Sequence, residues 1–131
     1  MSLSTTVQGF KNKELYKFKR SIAWDIFGSK CSPPRLLGYD LTYDGRYGGF
    51  LYLREDEFID GCGVQSASDS AIRDLYAVAR QVPSAISRDD AFFVADAAFL
   101  AGIPDWLSAA LPKPIRVVHD ADELIQFLWQ G

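Results

Sequence analysis

Short β-rich runs alternating with amphipathic helical segments predict an α/β fold. The expected form is a single three-layer domain with a mixed sheet, an antiparallel hairpin at its edge and parallel βαβ crossovers, preceded by an amphipathic N-terminal helix. Three observations carry this reading. Asp44-Gly45 stands between two β-rich runs, Ala91-Phe92-Phe93-Val94-Ala95 is continuously apolar, and several segments repeat apolar residues at helical spacing. With 131 residues, 48% hydrophobic and 24% charged, the chain has the size and composition of one globular domain spanning 1–131, with residues 1–10 as a candidate disordered lead-in.

Taken in order, Leu15, Phe18, Ile22 and Ile26 recur at helical spacing and Gly28 follows as a stop, so a helix is expected over about 12–27. Pro33-Pro34 makes the next segment a connector, because neither residue has an amide donor. Residues 36–43 and 49–53 then form the hairpin, turned by a step that takes positive φ. A Gly/Ser-rich loop from Gly61 to Ser70 leads to a second helix whose apolar face is Ile72, Leu75, Tyr76 and Ala79, ended by Pro83. The apolar run at 91–95 reads as a central parallel strand covered on both faces. Pro104 opens a short helix that Pro112 closes, residues 115–118 are the last strand, and Asp120 with Glu123 three positions on forms the head of a terminal helix.

The cadence of residues 91 to 129, strand, helix, Pro-flanked strand and terminal helix, is similar to that of STAS-type regulatory domains. It spans under a third of the chain and is shared by many doubly wound domains.

The residues that could carry chemistry are few. Cys62 lies between two glycines, and His119, Asp96 and Asp120 follow strands, so the alternative to a binding protein is a small enzyme or ligand-binding domain. Its site would lie at the C-terminal strand ends, with Cys62 as nucleophile, His119 as base and Asp96 or Asp120 as orienter. The loop Gly61-Cys62-Gly63-Val64-Gln65-Ser66 is an incomplete phosphate-binding turn, with serine where the third glycine belongs. Glu55, Asp56, Glu57 and Asp60, with Asp40 on the partner strand, form an acidic cluster that lacks the lysine of metal-dependent nucleases and reads as a solvated turn. One histidine and two cysteines fall short of a structural zinc site. No cofactor and no metal are implied, and both cysteines read as reduced thiols.

Charge is unevenly distributed. Residues 1–35 hold seven Lys and Arg against two acids, a net +5, whereas residues 36–131 hold seven against fifteen, a net −8. On the expected first helix Lys13, Lys17, Arg20 and Trp24 follow one stripe and are the candidate partner-binding residues. A net charge of −3 disfavours nucleic acid, leaving weak nucleic-acid binding through that helix as a lesser alternative. No stretch approaches the ~18 apolar residues of a membrane span, and no secretory h-region opens the chain. The expectation is a small cytoplasmic binding or regulatory protein acting on a protein partner.

Overall fold

The computed structural model describes residues 4–129. Met1 to Leu3, whose native or appended origin the sequence leaves open, lie outside them. The described chain runs β1 (Ser4–Lys11), β2 (Glu14–Leu15), β3 (Phe18–Lys19), α1 (Arg20–Phe27), a 3₁₀ turn (Gly28–Lys30), β4 (Gly38–Tyr43), β5 (Arg46–Tyr52), β6 (Phe58–Ile59) and β7 (Gly61–Gln65). It continues through α2 (Asp69–Gln81), β8 (Ser84–Arg88), β9 (Ala91–Val94), a second 3₁₀ segment (Ala97–Gly102), α3 (Asp105–Ala110), β10 (Arg116–Val117) and α4 (Ala121–Trp129).

The main sheet has the order β10-β9-β8-β1-β7-β5-β4, with β2 paired to β1; β3 and β6 form a separate small ladder. Residues Ser4–Lys11 form an interior strand of this sheet, where a disordered lead-in was a candidate. β1 hydrogen-bonds antiparallel to both β7 and β8. Gly9 is what lets the chain turn back on itself here: its amide donates to the Asp60 carbonyl and its carbonyl accepts from Tyr16. A Cβ at this position would stand 2.1 Å from the Tyr16 oxygen.

The expected helix over 12–27 is half wrong. Lys11 pairs with Glu14, leaving Asn12 and Lys13, both at positive φ, as a two-residue hairpin turn of the primed kind that follows strand twist. The helix begins only at Arg20. Leu15 fits the helical period but is 58% exposed, whereas Phe18 is buried from a strand. Residues 15 and 18, three apart, share a face of a helix but lie on opposite sides of an extended chain, which is why one is exposed and the other buried.

The hairpin forms as expected, with Tyr43 opposite Arg46 around Asp44 and Gly45 at positive φ. α2 buries its expected face of Ile72, Leu75, Tyr76 and Ala79, each large side chain adding roughly 1.5–3 kcal/mol. Ser68 caps it by accepting from the Ala71 amide.

Cross-strand registers align Phe93, Ile86, Val7 and Cys62 in one row and Thr5, Val64, Leu51 and Tyr39 in another. Both rows are buried on the face that α2 spans, with α1 and α4 packed beside it. On the opposite face Phe10, Ala85, Val94 and Ile103 form a second cluster with Phe99 and Leu107. On that face the second 3₁₀ segment packs against β1, β8 and β9.

The run at 91–95 is covered on both sides, Phe93 in the main core and Val94 in the second cluster. It is, however, one strand in from the edge rather than central. It is parallel only to β10 and antiparallel to β8, so β9–α3–β10 is the one parallel crossover among the described strands. Beyond β1, β2 and β3, three more strands lie where the residue pattern predicts none: the short β6, β8 with its two serines, and β7 inside the expected Gly/Ser-rich loop from Gly61 to Ser70. Among the described residues no helix is long and apolar enough to cross a membrane.

Candidate docking surface at the β4 edge

The connector after Pro33-Pro34 closes into a tight turn at the head of β4. The Arg35 amide donates to the Gly38 carbonyl at 2.8 Å and the Gly38 amide to the Arg35 carbonyl at 2.9 Å, placing Leu36 and Leu37 at the tip. Gly38 admits no side chain, since a Cβ would come 1.8 Å from the Leu51 oxygen. Leu36 carries the positive φ, +47°, a conformation that costs an L-residue roughly 1–2 kcal/mol. It is also fully exposed, and Leu37 is 63% exposed. A γ-branched apolar residue thus occupies a position where glycine would relieve strain and a polar residue would suit solvent better.

Two grooves flank Leu37. The larger, about 360 Å³, lies on the open face of the sheet between Leu37, Tyr52 and Arg54 on one side and Thr6 and Gln8 of β1 on the other. The smaller, about 210 Å³, lies behind the tip between Pro34, Leu36, Tyr39 and Asp56. The aromatic wall is fixed: Phe50 and Tyr52 meet edge to face at 4.9 Å, and the Tyr52 hydroxyl donates to Gln65 at 2.5 Å. The rim charges are paired, Arg35 with Asp40 at 3.4 Å and Arg54 with Asp56 at 3.5 Å.

Lys13, Lys17, Arg20 and Trp24 do not form a helical stripe. Lys13 sits in the β1–β2 turn, where it pairs with Asp105 at 2.9 Å. Lys17 is exposed between β2 and β3. Arg20 and Trp24 do share α1, but the guanidinium is spent within the chain. It donates to the Arg54 carbonyl at 2.7 Å and the Tyr39 hydroxyl at 2.8 Å, and lies 4.8 Å from the Trp24 ring centre. With Trp24 tilted onto Tyr39 at 5.3 Å, this stack braces the wall of the smaller groove from behind.

The residues of the enzyme reading are not brought together. Cys62 is buried inside β7, and burial pushes its thiol up to about 12, the opposite of an activated nucleophile. β1 and β8 separate β7 from β9, roughly 14 Å at the usual strand spacing. Asp96 caps the 3₁₀ segment by accepting from Ala98. Asp120 caps α4 by accepting from the Glu123 amide at 2.8 Å, and His119 is exposed with its Nδ1 3.3 Å from Glu123. The glycine-rich segment around Cys62 is strand, so the phosphate-turn reading falls with it. Cys31 is also free. Among the described residues no three His, Cys, Asp or Glu side chains gather as a metal site.

Compared with protein-family models, with curated proteins and with solved structures, the chain matches none of them. Sequence reasoning missed the leucine tip because Leu36 and Leu37 read as the start of a strand. The available signal was a pair of adjacent leucines held between Pro-Pro-Arg and Gly.

Proposed function

We propose that this chain is a binding protein that docks on a protein partner, inserting Leu36 into an apolar cleft of that partner and receiving the partner's side chains in the grooves beside Leu37. The observation that carries the reading is Leu36, strained and fully exposed at one residue. Neither property helps the isolated chain fold, and strain retained at an exposed position is a mark of a binding role. The rim supports a protein rather than a phosphate backbone as the partner, because Arg35 and Arg54 are already matched by Asp40 and Asp56. Nucleic-acid binding draws on unmatched cations.

Leu36→Gly tests this. Glycine takes positive φ freely, so the variant should keep or gain stability, by up to about 1 kcal/mol. As bait in a lysate of the source cells it should lose a stoichiometric protein that both the unaltered chain and Lys17→Glu retain. Retention of the same protein by Leu36→Gly, or no specific protein on any bait, would overturn the reading.

A further inference from the structure

At the opposite edge of the sheet, away from the leucine tip, a cavity of about 600 Å³ opens between the starts of parallel β9 and β10 and the side of α4. Its walls combine Phe92, Phe93 and Phe127 with Lys113, Pro114 and Arg116, and no acidic side chain lines it. Phe93 and Phe127 are stacked at 6.1 Å with their planes 19° apart. The Arg116 guanidinium lies 4.1 Å from the Phe127 ring centre.

The two cations are unusual for this part of the chain. Residues 36–131 are strongly acidic, Lys113 is the sole lysine after Lys30, and yet neither Lys113 nor Arg116 makes an ion pair among the described residues. Pro112 and Pro114 flank Lys113 and restrict the backbone on both sides of it, so little chain entropy remains to be lost when a ligand engages it. From these observations we infer that the cavity binds a small aromatic carboxylate, its ring packed against the half-exposed Phe127 and its acid group held between Lys113 and Arg116. The chemistry is complementary in both halves. Ring faces and edges reward an aromatic body, and a carboxylate gains two charge-assisted hydrogen bonds from cations with no competing acid beside them. The volume lies in the range of ordinary small-molecule sites. This inference is independent of the leucine tip and would survive its failure.

The test uses 1-naphthoate as probe on the full chain, with binding followed calorimetrically and located by amide NMR shifts. Saturable one-to-one binding is expected below millimolar concentration, with shifts confined to residues about 91–93, 113–117 and 127. Lys113→Gln and Arg116→Gln should each weaken it about tenfold. Lys113 is exposed, so its variant should keep the thermal midpoint, whereas Arg116→Gln should lose only the stacking contact with Phe127. 1-Naphthylmethanol, which lacks the charge, should bind at least tenfold more weakly. Absence of saturation by millimolar naphthoate would overturn the inference. So would equal affinity for the alcohol, or affinity unchanged in both charge variants.

Discussion

The two faces of the main sheet alternate along the same strands yet do different work. The face beneath α2 carries Val7, Ile86, Val64 and Leu51, all fully buried, and closes over them without a polar side-chain atom left unpaired among the described residues. The opposite face, outside the patch capped by the 3₁₀ segment and α3, carries Thr6, Gln8 and Tyr52 beside a groove. A single register decides both, since a one-residue slip would exchange the two sets. The larger core thus lies on one side, and the two proposed sites, the leucine tip at β4 and the aromatic cavity at β10, lie at the two sheet edges.

The sharpest way to break this contrast is to truncate one residue on each face. Leu75→Ala, beneath the helical layer and fully buried, should cost about 2–5 kcal/mol in denaturant unfolding. Thr6→Ala on the open face should stay within about 0.5 kcal/mol. Similar losses at both sites would mean that the open face is a second core.

A second consequence concerns Cys62, which lies in the buried row. Burial raises its thiol from 9.0 to about 12 and raises Cys31 to about 11. A thiol that holds its proton more tightly when folded contributes stability that is fully present below the unfolded value. That contribution is lost as pH rises through the folded one. Stability should therefore fall between about pH 9 and 12, and fall less in Cys62→Ala. At neutral pH iodoacetamide should reach Cys62 only through unfolding; rapid alkylation of the native chain would show the row to be open.

The smallest effect tests a cap at the margin of the covered face. Asp120→Ala should cost about 1 kcal/mol, through the bond that its carboxylate accepts at the head of α4. His119→Ala, at an exposed position, should cost little. A large loss at His119 would place that side chain in a role that the structure does not give it.

Some of this was legible from local residues alone. Asp44-Gly45 specified its turn because positive φ is a property of the residues themselves, and Asp120 with Glu123 specified a helix head through a contact three positions apart. The α2 face could be read because a periodic stripe records on the helix which side must be buried. What the sequence could not settle was decided between segments far apart in the chain. Whether residues 12–19 coil or pair depended on Gly9, Asp60 and Tyr16 meeting. Gly61-Cys62-Gly63 became strand because β1 and β5 were there to take its hydrogen bonds, and that same pairing buried the thiol and dispersed the proposed triad. The strain at Leu36 has the same origin. Arg35 and Gly38 are locked together where Gly38 abuts Leu51, so a leucine is held in a backbone state that its own preferences oppose. Local chemistry fixed the turns and caps, and long-range pairing decided which surfaces were left to recognise anything.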